Sequence, residues 1–592
     1  MTDFAGVGLG APSLAMHLFE ACLAGFRIFT RAKNLGKDAG VQQAALLIQE
    51  QLLVQWGDEL GLTNTRTDGN GNELDSRLKT ETSLFHAVVA GLTSIKAIFV
   101  DTEKLRQRYG ITPLDQLGGN DGRVLTELAT ERHLLEGNFV IQENTRRQEA
   151  AEAAHNAFSK FSKLRWAVID KSKCEEFVAQ LKSFIDGLYS LLPPLHTRDL
   201  AKAILAELLR TADAEKLSSL QIAAQGSSYL AVASAAELKR LTLTVQQDPA
   251  KVDRMDLIGG SDSISNITHS KTCTRSLGSY TRPGEDTSQP ILIEWKAIDP
   301  SSVGELREVL ELRVNSLGFF LHQQVKPSEL RALTCLGHFK GSEGGDDPRY
   351  GLVYSLPPTA DPSKLPTSLF DLLPEGDDDC TFEPDLGDKF KLAYVLAYSV
   401  YELHASNWLH KGIRSENILY LARRGSRGLQ SVTTPYLAGY EFARTDRLRE
   451  ATQKARNVAF DLYSHPLYRH GTVRYRRLFD LYSLGVVLLE IGCWRRVQSG
   501  YESGLTQTPE QFREILIETC ISELGPAVGA IYRDAVRCCL EGNFPVDGLA
   551  DNDEVYIGLP GEEIEAADSR INGELTVAFW WKVVKMLGKC TA

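Results

Sequence analysis

The sequence has 592 residues, several times the size of an average domain, which predicts two or three domains. Hydrophobic residues make up 43% and charged residues 24% of the chain, which excludes a mostly disordered or collagen-like protein. The 65 Lys and Arg against 77 Asp and Glu give a net charge of −12, so no broad basic field exists and we expect no nucleic acid partner. Ten cysteines without a Cys-x-x-Cys pair favour buried or free thiols in a reducing cytosol over a disulfide scaffold or a zinc site.

An apolar segment at residues 4–26 contains a single charged side chain, that of Glu20. As a helix it would be about 34 Å long, enough to cross the hydrocarbon core of a bilayer. Positive residues follow it, unlike in a secretory signal, and Glu20 disfavours a permanent transmembrane helix. A buried core helix and a helix that enters a membrane on a trigger both stay open, and the two are compatible. The side chains expected to contact the membrane are Phe4, Leu9, Leu14, Leu18, Phe19, Leu23 and Phe26.

Three further segments carry apolar residues at steps of three and four, as amphipathic helices that bury one face require. The three stripes are Ala45, Ile48, Leu52 and Trp56; Leu74, Leu78, Phe85, Val88, Leu92, Ile95 and Phe99; and Phe177, Leu181, Phe184, Leu188 and Leu191. Pro193 and Pro194 end the last helix. The first third of the chain is therefore predicted to be an all-α helical bundle.

Residues 163–193, with the sequence KLRWAVIDKSKCEEFVAQLKSFIDGLYSLLP, resemble the last large helices of the fungal HeLo domain. The Gly-rich, nearly uncharged N-terminus is also similar to that family, so the resemblance covers about residues 1–215. It implies a cell-death domain of the prion-inhibition and heterokaryon-incompatibility type, which expels its N-terminal helix into a membrane when triggered. Here the inserting segment would be about residues 4–29, with Arg27, Arg31 and Lys33 placed where anionic lipid could hold them. The C-terminus has no Gln/Asn-rich repeat like that of the prion-forming members, so we expect a trigger other than amyloid templating.

The helical pattern continues through residues 216–258, which we interpret as a brace or linker. A Gly-, Ser- and Thr-rich stretch follows at residues 259–290 and is typical of a domain boundary or an irregular domain start. The predicted domains are thus residues 1–215, 216–258 and 259–592.

The order of elements after Pro290 resembles the protein kinase fold. A strand ends in Lys296, a helix carrying Glu308 and Glu311 follows, and an apolar strand and a long helix come next. The sequence HKGIRSEN at 410–417 then resembles the kinase catalytic loop H-R-D-L-x-x-x-N. We therefore expect a C-terminal α+β, two-lobed, kinase-like fold after the N-terminal bundle.

Both acidic residues of the kinase motifs are replaced by glycine. His410 and Asn417 are in register with the catalytic loop, but Gly412 stands where the catalytic Asp belongs. Gly439, followed by Tyr440 and Glu441, stands where the Asp of the D-F-G motif would hold magnesium. A later helix resembles the large-lobe element whose acid, here Asp480, braces the catalytic loop.

The resemblance implies a pseudokinase and not an enzyme, because phosphoryl transfer needs magnesium on the phosphates and a carboxylate to orient the hydroxyl. Loss of a general base alone removes about 10²- to 10⁴-fold of rate, and no G-x-G-x-x-G motif precedes Lys296. We expect no metal and no cofactor, and do not expect ATP to bind. Lys296 with Glu311 (or Glu308) would be the nucleotide contact, against the favoured alternative of an ordinary strand-end lysine. His410, Asn417 and Asp480 are expected to be structural.

A HeLo-like bundle followed by a pseudokinase is similar in layout to the mixed-lineage kinase domain-like family, which executes necroptosis in animals; this is an analogy of architecture. It implies a cytoplasmic, autoinhibited cell-death effector. An upstream signalling protein would act on the pseudokinase, and the released bundle would form homo-oligomers and permeabilise the anionic plasma membrane. Two alternatives stay open: a kinase that uses Glu416 or Glu441 as an unorthodox acid, and a non-catalytic signalling scaffold.

Overall fold

The computed structural model divides the chain into two compact units, Met1–Ala236 and Glu237–Ala592. The residues it describes are 11–30, 39–63, 76–113, 166–168, 170–192, 205, 208–209, 213–225, 229–249, 252–270, 274–297, 305–324, 326–341, 349–374, 382–425, 431–440, 443–446, 462–470, 473–497, 508–549 and 561–592.

The described residues of the first unit are mainly helical and include one short antiparallel pair of strands. Its helices are α1 (Ala11–Thr30), α2 (Gly40–Glu59), α3 (Ser76–Thr80), α4 (Thr82–Val100), α5 (Thr102–Gln107), α6 (Lys171–Tyr189) and α7 (Ala214–Gln225). Strands β1 (Ile111–Pro113) and β2 (Trp166–Val168) pair with each other. Helix α6 begins where the Asp170 side chain accepts a hydrogen bond from the Lys173 amide at 3.1 Å, as expected of an N-cap. Helix α8 (Leu230–Gln247) begins in this unit and ends in the second.

Helices α1, α2, α4 and α6 form the core of the first unit, where α1 packs against α2 and α4, and α6 packs against the same two helices. The stripe residues that are buried include Leu52, Trp56 and Leu92. Two residues of the third stripe differ from the prediction: Phe184 and Leu191 are half-buried, and the neighbouring Ile185 and Leu192 are buried instead. Ala45 of the first stripe is also half-buried, and Leu74 of the second lies outside the described residues. The predicted bundle is otherwise confirmed along these helices.

The second unit begins with a five-stranded antiparallel sheet. Its strands are β3 (Ile264–His269), β4 (Arg275–Thr281), β5 (Ser288–Ala297), β6 (Thr334–Gly341) and β7 (Arg349–Ser355), in the spatial order β3-β4-β5-β7-β6. Helix α9 (Glu305–His322) connects β5 to the edge strand β6 and packs against it.

The remainder of the second unit is mostly helical. Its helices are α10 (Leu369–Leu372), α11 (Leu386–Ala405), α12 (Pro466–His470), α13 (Arg477–Cys493), α14 (Pro509–Thr519), α15 (Gly525–Val528), α16 (Ala530–Glu541), α17 (Gly561–Phe579) and α18 (Lys585–Gly588). The buried helix α13 packs against α11 and α16. Five very short strands lie among these helices: β8 (Thr367–Ser368), β9 (Trp408–Leu409), β10 (Ile418–Tyr420), β11 (Tyr436–Leu437) and β12 (Arg444–Thr445).

The five-stranded sheet has two differently packed faces, because side chains alternate along a strand. Ile291 and Ile293 of β5 belong to a small cluster on one face. Leu292 belongs to a larger cluster on the other face, shared with α9 and with the helical part of the unit. Glu294 and Lys296 follow Leu292 at two-residue steps and therefore lie on the face that meets the helical part.

Part of the segment predicted as a linker is built into the second unit. Leu238 of α8 belongs to the large cluster, and the Trp408 indole donates a hydrogen bond to the Thr242 hydroxyl at 3.1 Å. Farther on, backbone hydrogen bonds of 2.8 Å join His338 of strand β6 to Met255 and to Leu257. Residues 237–258 are therefore part of this unit, while the preceding residues of the segment belong to the first.

Candidate functional site

Two loops whose sequences resemble kinase motifs lie side by side. The first loop, residues 410–417, connects β9 to β10, and the second, residues 438–443, connects β11 to β12. Strand β10 pairs with β11 and strand β9 pairs with β12, so both ends of one loop are tied to both ends of the other. This pairing brings together five of the loop residues that the sequence singled out: His410, Gly412, Asn417, Gly439 and Tyr440.

The two glycines allow the loops to approach closely. A Cβ atom on Gly412 would lie 2.9 Å from the carbonyl oxygen of Gly439. A Cβ atom on Gly439 would lie 2.0 Å from the Asn417 side-chain nitrogen, and Gly439 has a φ of +77°, which disfavours other residues. An aspartate therefore does not fit at position 439 while Asn417 keeps this conformation.

The Asn417 side chain occupies the space between the glycines. Its Nδ2 donates to the carbonyl oxygen of Gly412 at 2.7 Å, and its Oδ1 accepts from Arg275 Nη2 at 2.5 Å. In the kinase catalytic loop that this sequence resembles, the asparagine holds a magnesium ion. Here both ends of the amide group are already engaged within the protein.

Arg275 and Glu294 complete the site, and sequence reasoning missed both of them. They lie opposite each other on β4 and β5, and Arg275 Nε contacts Glu294 Oε1 at 2.9 Å. The ion pair is buried, with side-chain exposures of 13% and 4%. Arg275 Nη1 also donates to the carbonyl oxygen of Glu416 at 2.9 Å, so the guanidinium joins the sheet to the first loop.

Glu294 joins the sheet to the second loop. The amide of Gly439 donates to Glu294 Oε1 at 2.9 Å and to Oε2 at 3.2 Å. One signal was available in the sequence: Glu294 is a charged residue inside the apolar strand ILIEWK, which calls for a buried partner. The pairing of Arg275 with Glu294 depends on strand register, which the sequence alone did not indicate.

These contacts define what we call the cleft network: Arg275, Glu294, Gly412, Asn417 and Gly439. A buried charge is tolerated when it is paired and hydrogen-bonded. In this network Arg275 and Glu294 pair with each other, and each also forms hydrogen bonds with a loop. Across the described residues, no group of three or more His, Cys, Asp or Glu side chains is arranged to hold a metal ion. The arrangement is suited to holding the sheet and the two loops together.

Asp480 supports the first loop from helix α13. Its carboxylate is fully buried and accepts hydrogen bonds from the amides of His410 at 2.8 Å and Lys411 at 2.9 Å. It also accepts from the Tyr475 hydroxyl at 2.8 Å and lies 3.1 Å from His404 Nε2. Burial alone would raise the pKa of Asp480, but the hydrogen bonds from His404 and the His410 amide, and the nearby imidazoles, outweigh it and hold the pKa below its usual value. These are the contacts that a brace of the loop backbone requires.

His410 acts as a neutral acceptor within the same loop. Its Nδ1 accepts a hydrogen bond from the Gly412 amide at 3.2 Å, and its ring lies 4.6 Å from the ring of Tyr440. Burial lowers the pKa of His410 to about 4, so the imidazole is uncharged at neutral pH.

The residues predicted as nucleotide contacts have separate surroundings. Lys296 is buried on the inner face of β5. Glu311 forms ion pairs with Lys340 at 2.9 Å and Arg254 at 3.1 Å, and the hydrogen bond from Lys340 lowers its pKa. Glu308 is exposed on α9. The ion pairs described for Glu311 are those with Lys340 and Arg254, and not one with Lys296. The role of Lys296 and Glu311 in nucleotide binding stays a prediction.

The unorthodox acids of the kinase alternative are only partly described. Glu416 is partly buried, which raises its pKa, and Arg414 Nε lies 3.9 Å from its carboxylate. Glu441 lies outside the described residues.

The predicted membrane-contacting residues that the structure describes lie in the core of the first unit. All of them have exposures of 7% or less: Leu14, Leu18, Phe19, Leu23 and Phe26. Phe4 and Leu9 lie outside the described residues. By length and composition, α4 is the described helix that could cross a membrane, with a mean hydropathy of 1.7 over its apolar window.

Two family models match the chain. Residues 6–220 match the HeLo family, whose description is prion-inhibition and propagation. Residues 352–554 match a family described as a domain of unknown function, DUF7580. No curated protein matches the sequence. The first match confirms the HeLo-like part of the prediction and indicates a protein related to fungal cell death and heterokaryon incompatibility.

Proposed function

We propose that the protein is an autoinhibited cell-death effector. In this proposal the C-terminal unit is a pseudokinase that restrains the HeLo bundle. A signal from an upstream protein releases the bundle, which assembles with further copies and permeabilises the anionic plasma membrane through its N-terminal helix. At rest the protein would be cytoplasmic.

The burial of α1 supports a resting state that must change before the helix can enter a bilayer. Leu14, Leu18 and Phe26 are each no more than 1% exposed, and they pack within the bundle. Apolar side chains that are already removed from water gain little free energy by moving from a protein core into lipid. The bundle must therefore open before α1 can enter a bilayer. A restraint on that opening is the regulatory step that the proposal requires.

The order of elements in the second unit supports a kinase-like fold. The third strand of the five-stranded sheet carries Lys296 one residue before its end, and the next element is a helix packed against the sheet. Kinases carry their phosphate-contacting lysine on the third strand, followed by the helix that supplies its glutamate. The loop at residues 410–417 and its support by Asp480 follow in the expected order.

The cleft network is the observation that carries the non-catalytic part of the proposal. Magnesium-dependent phosphoryl transfer needs free carboxylates at the two positions that Gly412 and Gly439 occupy. Here the Asn417 amide fills the space beside Gly439, and Arg275 and Glu294 close the region with a buried ion pair. The network makes the region a structural contact between the sheet and the two loops.

Leakage from dye-loaded anionic vesicles tests the proposal with the full chain. We expect little leakage with the unaltered protein and fast leakage with Asp480→Asn, because loss of the brace weakens the restraining unit. Leu18→Glu added to Asp480→Asn should abolish leakage, whereas Ser183→Glu, at an exposed position of α6, should not. Asp534→Asn, whose side chain is 61% exposed, is the control for Asp480→Asn.

Nucleotide assays on the same preparations separate the alternatives. The proposal expects no thermal stabilisation by magnesium-ATP and no transfer of labelled phosphate. Saturable stabilisation together with turnover would favour the kinase alternative. Sealed vesicles with every variant would favour the scaffold.

A further inference from the structure

Helix α4 has the dimensions of a membrane-spanning helix. Its 19 residues correspond to a length of about 28 Å, close to the roughly 30 Å hydrocarbon core of a bilayer. Lys96 is its only charged residue. Its side chain is buried in the bundle, at 4% exposure. It lies four residues from the C-terminal end of the helix, where the long stem of a lysine in a bilayer can reach the interface. Helix α1, by contrast, carries both Glu20 and Arg27.

The outward face of α4 lacks the charges that water-facing helices normally carry. Its exposed residues are Thr82, Ser83, His86, Ala90 and Ala97. Helix α6 has the same length and lies in the same unit, yet its exposed residues include Lys171, Lys173, Glu175, Glu176 and Asp186. The two helices thus face water with different chemistry, and only the face of α6 is typical of a permanently solvated surface.

Helices α4 and α1 are packed to each other mainly through apolar contacts. A Cβ on Gly25 would lie 2.5 Å from the Phe99 ring, and the rings of Phe26 and Phe99 are 4.9 Å apart. The described hydrogen bond between the two helices is a weak one, from the Cys22 thiol to the Leu92 carbonyl oxygen at 3.2 Å. These contacts need no water and would be as favourable in lipid.

We propose that α4 enters the hydrocarbon core of a phospholipid bilayer together with α1, as a packed helix pair. The inference rests on the proposed membrane activity and adds a second inserting element to it. Helix α4 supplies the span that is nearly free of charge, and α1 stays against it through Gly25 and Phe26. The face of α4 around Ala90 and Ala97 would then contact acyl chains.

The test compares Ala90→Asp on α4 with Ala179→Asp on α6, both at exposed helical positions, in the full chain carrying Asp480→Asn. Both changes have the same cost in helix propensity and should leave the thermal midpoint of the bundle equal. Leakage from anionic vesicles should fall at least about tenfold with Ala90→Asp, because a carboxylate in the bilayer core is costly. It should be unchanged with Ala179→Asp.

The outcomes distinguish the inference from the proposed function. If Leu18→Glu blocks leakage while Ala90→Asp and Ala179→Asp leak equally, α4 stays outside the bilayer and only the inference is overturned. If Asp480→Asn causes no leakage at all, the proposed membrane activity and the inference fail together. If Ala90→Asp prevents self-association in sedimentation without lipid, the face binds a second copy of the chain, and the lipid assignment is overturned.

Discussion

The contact between α1 and α4 and the cleft network are held together by different forces. Between the helices, glycine and aromatic surfaces meet at Gly25, Phe26 and Phe99, with one weak thiol hydrogen bond. In the cleft network, a buried arginine and a buried glutamate reach both loops through hydrogen bonds of 2.5 to 3.2 Å. The first contact depends on shape and apolar surface, and the second depends on charge and direction.

The difference matters because the two contacts respond differently to a change of surroundings. Apolar surfaces can exchange one apolar neighbour for another at little cost, whether the new neighbour is a side chain or an acyl chain. A buried ion pair cannot be separated without leaving a charge that lacks its partner, which costs several kcal/mol. The bundle is therefore the part of the molecule suited to rearrangement, and the cleft is the part suited to holding a fixed conformation.

The largest effect is expected from Asp480→Asn, which removes the charge that supports the first loop of the cleft network. The variant loses the negative charge that accepts hydrogen bonds from two backbone amides and from Tyr475. We expect the second unit to lose about 3–5 kcal/mol of unfolding free energy, because bonds to a buried charge are worth more than neutral ones. Chemical denaturation followed by circular dichroism measures the change. A loss no greater than that of the exposed control Asp534→Asn would contradict the support of the loop by Asp480.

Gly439→Asp tests whether the cleft has room for the missing acid. The new side chain would collide with Asn417 and would also adopt a positive φ, so we expect a loss of about 3 kcal/mol or more. The matched control is Gly425→Asp. Gly425 has a φ of +78° with no atom within 4 Å of its Cβ position, so the control should lose only about 1 kcal/mol. Equal thermal midpoints for the two variants would show that Asn417 moves aside freely.

A pH effect is expected at Glu490, another buried acid of the second unit. It accepts from the Tyr463 hydroxyl at 2.9 Å and from the Val497 amide at 3.0 Å, and burial raises its pKa from 4.5 to about 8. The native state therefore holds a proton that the unfolded chain releases above its own pKa. The contribution to stability is full below pH 4.5 and is lost as the pH rises through about 8. Glu490→Gln should remove this dependence.

Thermal melts at pH 5 and pH 8 measure that effect. The midpoint of the second unit should fall between the two values in the unaltered protein and should fall less in Glu490→Gln. The variant should therefore be the more stable of the two at pH 8. A parallel fall in both proteins would mean that Glu490 is ionised in the native state.

The smallest of these effects is expected at the apolar contact between α1 and α4. Gly25→Ala places a methyl group against the Phe99 ring and should cost about 1–3 kcal/mol in the first unit. Gly187→Ala is the matched control, since its Cβ position has no atom within 4 Å. There the exchange should gain about 0.5–1 kcal/mol, because alanine is the better helix former. If both variants melt above the unaltered protein, the two helices are not closely packed.

The sequence predicted the features that depend on local pattern. The spacing of Leu52, Trp56 and Leu92 located two buried helix faces, and the motif positions of Gly412 and Gly439 located two neighbouring loops. The error at Phe184 and Ile185 shows the limit of this reasoning, because either residue fits a stripe with steps of three and four and the pattern did not identify which one is fully buried.

The cleft network could not be predicted because its parts come from four separate segments. Arg275 meets Glu294 only through the register of two strands, and register depends on the whole sheet. The role of Asn417 as a spacer between glycines requires coordinates, since its motif position suggests a metal ligand instead. A charged residue in an apolar strand, such as Glu294, was the one local signal of a buried partner.

The crowding around Gly439 has an evolutionary consequence. An acid at position 439 requires the Asn417 side chain to leave, and removal of that side chain takes an acceptor from Arg275. Arg275 and Glu294 would then also have to change, since a lone charge cannot remain buried in their place. A mutational route from this cleft to a metal-binding one passes through several less stable variants. The present arrangement therefore opposes the stepwise recovery of a metal-binding acid at position 439.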